Sequence, residues 1–297
     1  MSTTRIKASD RTKVCQQIVT ELKKKYGSRV PKSDRTVLDS LLFAICLEGA
    51  PHNDAEAALV NFQESFFDYN EARVSSITEL QKAFAELSEP EWRAMRVRES
   101  LQIIFEGRYS YDIEDFRKKN LDAAEKYLKN IKSLTPFVID YTMMSTLGSH
   151  TVPVNDSILK CSIVLGLLPA ETDMASAGDQ LKAAVRKADS PLFFHLINEL
   201  ANDPEYTTLT SELDPPEQED QMAVLKHSVS RLKELLTGKL KPSPKLAKKS
   251  ASSSKADASA AKAPKKKTTK KSTKTSTKKK TASRSSKKTA KKSTKKK

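Results

Sequence analysis

Glycine is scarce, with 7 in the whole chain, and β-branched residues in period-two alternation are nearly absent. The first shortage removes the tight turns of a many-stranded protein, and the second removes the strands themselves. No apolar run approaches the roughly 18–20 residues of a membrane span. The longest, at 41–47 and 163–168, are far shorter. The first residues carry charge but no apolar stretch of the kind a secretory leader has. Cysteine is limited to Cys15, Cys46 and Cys161, an odd and widely spaced set that makes neither a disulfide framework nor a zinc site. Each sits in an apolar setting and is expected to pack as a small hydrophobe in a reducing, intracellular compartment. Gly-rich phosphate loops and nucleophile elbows are absent, and His52, His195 and His227 lack metal-ligand spacing. Neither a metal nor a cofactor is expected.

What remains reads as helix after helix. Apolar residues recur at three and four: Val14, Ile18, Val19 and Leu22 form one stripe, ending at Tyr26-Gly27 behind three lysines. Ser33-Asp34 is the expected cap of a nearly all-apolar helix, 37–47, which therefore belongs in the interior. Asn53-Asp54 opens a third helix to about 66, and Ser76 or Thr78 caps a short one, 80–87. Ser88-Glu-Pro90-Glu is a start signal with proline just inside, for a helix to 105. Further helices are predicted over 121–131, from Thr135-Pro136 to a stop at Gly148, over 157–167 behind Asn155-Asp156, and at about 174–187, 191–201 and 217–236.

Charge divides the chain in two. Residues 239–297 hold 23 Lys, one Arg and one Asp, whereas the preceding 238 residues hold 29 basic and 36 acidic groups, a balance of −7. Beyond Gly238 almost everything is Lys, Ser, Thr, Ala or Pro, too little apolar surface to offset the entropy of ordering, so a disordered tail is expected. The basic runs Lys265, Lys266, Lys267, then Lys278, Lys279, Lys280, then Lys295, Lys296, Lys297 make a polycation suited to duplex DNA. If 6–10 cations displace counterions, affinity falls by roughly 10³–10⁵ between 50 and 200 mM salt. Lysine in place of arginine argues against bidentate reading of guanine edges, and the lack of aromatics against stacking on single strands. The composition resembles the tails of linker histones and bacterial histone-like proteins.

In the body, Leu147-Gly-Ser-His150-Thr-Val-Pro153-Val-Asn155-Asp156-Ser-Ile-Leu-Lys160 resembles the segment F-G-x-P-x-x-x-V-D-[TS]-H-[IV]-x-R of the helix-hairpin-helix DNA glycosylases, the endonuclease III group in particular. In register with it, Ile131-Lys-Ser-Leu-Thr-Pro-Phe137-Val falls at that family's hairpin, L-P-G-V-G-x-K-T. Leu41 to Leu47 falls at its first long buried helix, and Leu181–Val185 and Phe194–Ile197 at helices of its second lobe. The resemblance covers about residues 10–205. It implies an all-α, two-lobed fold for 1–238, with a cleft that receives a flipped base and a hairpin that holds a DNA phosphate. The family's iron–sulfur loop, C-x6-C-x2-C-x5-C, has no counterpart after Leu200.

The family's chemical letters are replaced. The hairpin glycines become Ser133 and Thr135, positions where a left-handed or close-approach backbone is harder to reach. The Schiff-base lysine becomes Phe137, the catalytic aspartate becomes Asn155 with Asp156 beside it, and the intercalating glutamine falls at Ala50. Asn155 and Asp156 are the candidate catalytic residues, with helix capping as the alternative reading. Lys129, Lys132, Ser133, Thr135 and His150 are the candidate DNA contacts of the body, and Asp140 a buried carboxylate in an apolar helix. Trp92, Arg93, Arg96 and Arg98, near Lys82, form either a cleft-facing basic patch or an exposed face paired with Glu89, Glu91 and Glu99. Three functions stay open: a DNA-binding protein of base-excision-repair type with weakened or lost catalysis, an active glycosylase or abasic-site lyase with relocated residues, and a histone-like nucleoid protein. In each the partner is double-stranded DNA bound mostly without sequence preference and not a membrane. A monomer is expected, in the cytoplasm and nucleoid, or in the nucleus of a eukaryote.

Overall fold

The computed structural model describes residues 8–32, 34–216 and 221–240. Among them are thirteen α-helices and no strand. In chain order these are α1 Ala8–Tyr26, α2 Val37–Leu47, α3 His52–Ser65, α4 Tyr69–Val74, α5 Ile77–Ala83, α6 Pro90–Arg108 and α7 Leu121–Asn130. They continue as α8 Pro136–Leu147, α9 Asp156–Val164, α10 Met174–Ala184, α11 Ser190–Asn202, α12 Pro204–Glu212 and α13 Gln221–Leu236. The lysine runs of the expected tail lie outside the described residues.

The helices sort into two groups. Helix α2 is apolar on every side and every residue but Asp39 is buried, so it can only be a central element. It packs on α3, α6 and α8, while α4 and α5 pack on α6 and α7 on α8. The second group joins both ends of the described chain: α1 packs on α10, α11 and α13, and α9 on α11 and α12. Between the groups runs the extended link 149–155, with Val152 and Val154 buried. Its polar groups are pinned from both sides. Thr151 Oγ1 donates to the Asp140 carbonyl at 3.0 Å and Ser190 Oγ to the Thr151 carbonyl at 2.6 Å.

Local chemistry places most boundaries where the pattern predicts them. Thr135 caps α8, Gly148 stops it at φ 64, and Ser76 makes a reciprocal capping box with Glu79. Several expectations are corrected. Helix α3 begins at His52 behind Pro51 and is not opened by Asn53-Asp54, and the short helix capped by Ser76 runs Ile77–Ala83 instead of 80–87. The cap of α2 is Thr36, whose Oγ1 accepts from the Asp39 N–H at 3.0 Å, not Ser33-Asp34. Helices α4 and α12 were not expected. Each is a short segment begun by an Asp and offers too few turns to show a period. The three cysteines are buried and unpaired, and burial raises each thiol to about 12, which makes them inert at neutral pH.

Candidate nucleic-acid cleft

The hairpin of α7 and α8 closes without glycine. The Ile131 N–H donates to the Leu128 carbonyl and the Leu134 N–H to the Ile131 carbonyl, both at 3.0 Å. Thr135 follows with φ −77 and ψ 158, ordinary extended backbone. Among the described residues only Glu89 and Tyr109 are non-glycines at positive φ, so Ser133 and Thr135 avoid the left-handed region altogether. Thr135 Oγ1 accepts from the Val138 N–H at 3.3 Å and donates to Glu48 Oε2 at 3.1 Å. Ser133 Oγ is buried without a hydrogen-bond partner.

Thr135, Pro136 and Phe137 line a cleft of about 350 Å³. Val154, Asn155, Asp156 and Ser157 line the same cleft, together with Glu48, Gly49, Ser88, Glu89, Trp92, Arg93, Arg96 and Met174. The elements predicted to meet do meet. Asn155 is 7% exposed and caps α9, its Oδ1 accepting from the Ile158 N–H at 2.9 Å. That bond fixes which way the amide points and leaves Nδ2 buried without a partner. Asp156, the first residue of α9, is exposed. Phe137 is 1% exposed and packs on Phe194 with ring centroids 5.8 Å apart, a core position with no amine to offer.

The other predicted contacts are spread out. Lys132 is exposed beside the hairpin turn, and Lys129 is paired with Glu125 at 2.5 Å. His150 does not face the cleft lining; its Nε2 lies 2.9 Å from the Val185 carbonyl and ties the link to the end of α10. His52 and His195, distant in sequence, come together with ring centroids 5.4 Å apart. Burial lowers both, His195 to about 4. No group of three or more metal-ligating side chains occurs among the described residues.

The basic patch divides by role. Trp92 stands 55% exposed at the cleft rim. Arg93 is buried, and its guanidinium donates to the carbonyls of Cys46 (3.1 Å), Glu48 (2.7 Å) and Ser88 (2.8 Å), and also to that of Ile45. It thus neutralises the carbonyl end of α2 where the helix dipole is negative. Arg96 reaches Glu48 Oε2 at 2.8 Å. Glu48 and Gly49 were missed in the sequence. Their signal was a lone acid followed by glycine at the end of an all-apolar helix: Gly49 at φ 74 makes the sharp turn that leaves Glu48 at the cleft. Burial raises the Glu48 carboxyl above its usual range, against the opposing pull of Arg96.

No protein-family model matches the chain. In structure it is similar to endonuclease III in a non-covalent complex with DNA, at a TM-score of 0.52 and 11% identity over 75% of this chain and 98% of that one. A thermostable thymine-DNA glycosylase matches at 0.50 and 13%, over 73% and 95%. The chain has the fold of the helix-hairpin-helix DNA glycosylases. Among curated proteins, the transcriptional activator DEMETER of Arabidopsis thaliana is 26% identical over 104 residues, a stretch that makes up 35% of this chain and 5% of that much longer protein. Within the glycosylase fold, the all-α architecture is confirmed, and the described residues contain no helix long and apolar enough to cross a membrane.

Proposed function

We propose that this chain is a duplex-DNA-binding protein of the base-excision-repair type whose cleft receives an extrahelical nucleotide. The observation that carries this reading is that the end of the hairpin, at Thr135 and Pro136, and the start of α9 line one cleft, with Trp92 and Arg96 in the same lining. Schiff-base lyase chemistry at the hairpin is lost, because Phe137 has no amine and is packed into the core. Affinity is divided between the cleft and the cationic segment 239–297. The body's balance of −7 gives little general attraction to phosphate, so the 24 basic residues of that segment supply most of the sequence-neutral binding. The chain acts where duplex DNA is, in a nucleoid or a nucleus.

The test compares the full chain with one ending at Gly238, which keeps α13 and its packing on α1. The full chain should bind undamaged duplex with a log affinity that falls steeply with log salt. The shortened chain should lose most of that slope while still preferring a duplex that carries an abasic-site analogue. Equal binding of undamaged duplex by both chains refutes the division of labour. A covalent adduct trapped with borohydride on an abasic duplex refutes the loss of lyase chemistry.

A further inference from the structure

A second cavity, of about 200 Å³, shares no lining residue with the cleft. It is lined from α2, α8, α11 and the start of α3, and it reaches solvent at the exposed Ser145 and Arg117. Four of its side chains are rings. Tyr141 and Phe194 lie with ring centroids 5.5 Å apart, and His52 and His195 5.4 Å apart. The buried Phe43 joins the two pairs, 5.8 Å from Tyr141 and 5.1 Å from His52. Among these rings stand polar groups with nothing to bond. Ser40 is 5% exposed and His195 8%. The Ser40 and Tyr141 hydroxyls and the His195 ring nitrogens have no hydrogen-bond partner among the described residues, yet none is a sealed polar atom of the interior. All three residues line this cavity, so their polar atoms open onto it. A buried helical hydroxyl commonly bonds back to a carbonyl one turn earlier, as Thr142 does to Val138 at 2.8 Å, and Ser40 does not. Asn198, in the same lining, is by contrast committed on both sides: its Nδ2 donates to the Ala50 carbonyl at 3.0 Å, and its Oδ1 accepts from Asn202 at 3.0 Å.

Size and charge narrow the occupant. A cavity of about 150 Å³ takes up benzene, so this one has room for a substituted ring or two fused rings. The lining contains no acid, and its cations are neutralised from outside it, Arg35 by Glu56 and Arg117 by Glu114 at 2.5 Å. Neither an anion nor a cation is therefore favoured. Burial takes His195 down to about 4, so at neutral pH its ring offers one N–H donor and one acceptor. Water alone is a poor filling, because each ordered water needs about two to four polar partners and Leu47, Met144, Pro191 and Phe194 supply none. We propose that this cavity binds a neutral, planar heteroaromatic molecule of one or two rings whose edge both donates and accepts hydrogen bonds, the class that includes the free nucleobases. Its rings pack against Tyr141, Phe194 and the paired histidines, and its edge bonds to Ser40, Tyr141 and His195. The site is separate from the nucleotide cleft and does not depend on what that cleft holds.

The experiment titrates the full chain with adenine, hypoxanthine, uracil and nicotinamide, detecting binding by saturation-transfer NMR and measuring affinity by calorimetry. Benzoate serves as a charged ring of similar size. At least one of the four neutral probes should bind, and benzoate should bind it more weakly by about tenfold or more. Tyr141→Phe and Ser40→Ala each remove one hydroxyl that bonds to nothing in the protein, so both variants should unfold at the midpoint of the unaltered chain. Each should nevertheless weaken the probe by about 3- to 10-fold. Saturation of the chain with a duplex carrying an abasic-site analogue should leave the probe affinity unchanged. Absence of binding by all four probes overturns the proposal, as does an affinity that neither variant alters. Displacement of the probe by the duplex places it in the nucleotide cleft and also overturns the proposal, while leaving the reading of that cleft intact. Benzoate binding as tightly as the neutral probes overturns the assigned class.

Discussion

Replacing Arg93 by methionine removes a buried guanidinium that donates to four main-chain carbonyls, those of Ile45, Cys46, Glu48 and Ser88. Each buried acceptor left unpaired costs about 1–3 kcal/mol. Methionine restores part of the packing and removes the cost of burying the cation. Water from the adjacent cleft also reaches some of the freed carbonyls. Breaking such a buried charged network costs about 3–5 kcal/mol. For a fold of this size each kcal/mol lowers Tm by about 2–4 °C, so the expected drop is about 6–20 °C. Urea and thermal unfolding at fixed salt, followed by circular dichroism, give both numbers. A loss below about 1 kcal/mol refutes the assignment of Arg93 as the cap of α2. Arg93→Lys should recover less than half, because an ammonium lacks the planar fork that spans four acceptors.

Other outcomes follow from the same contacts. Asp140 is raised to about 6, first by burial and then by Glu125, with Asp179 also repelling it and Lys129 and Lys182 opposing. The folded chain therefore keeps a proton that the unfolded chain gives up between pH about 4 and about 6, and stability falls as pH rises through that window. Asp140→Asn should add roughly 2 kcal/mol at pH 7 and nothing below pH about 4, read from urea midpoints at the two values. Trp92 is the single tryptophan and stands at the cleft rim, so duplex binding should change its emission, and unchanged emission at saturation refutes its place in the interface. Asn155→Ala should lower stability by about 1 kcal/mol through loss of the α9 cap, partly offset because the buried, unpartnered Nδ2 goes with it.

Much of the fold was legible because it rests on short-range chemistry. The caps at Thr135 and Asn155, the proline at the start of α6 and the stop at Gly148 all follow from neighbours within a few residues. The cleft was legible only in outline. The hairpin and the start of α9 stand in the expected places, but Glu48 enters through a tertiary arrangement in which Arg96 and Thr135 come from helices about 50 and 90 residues away, a distance at which periodicity carries no signal. The same holds for Arg93, whose sequence setting among Trp92, Arg96 and Arg98 reads as a basic surface patch. Its burial depends on the carbonyl end of α2 lying opposite. His52 and His195 meet only because α3 and α11 pack together.

Backbone hydrogen exchange of the full chain, with and without a saturating duplex that carries an abasic-site analogue, most directly tests whether this cleft is where DNA is held. Protection should rise at 88–96, 135–137 and 154–157, three of the stretches that supply the cleft lining. DNA binding with no added protection in any of the three contradicts it.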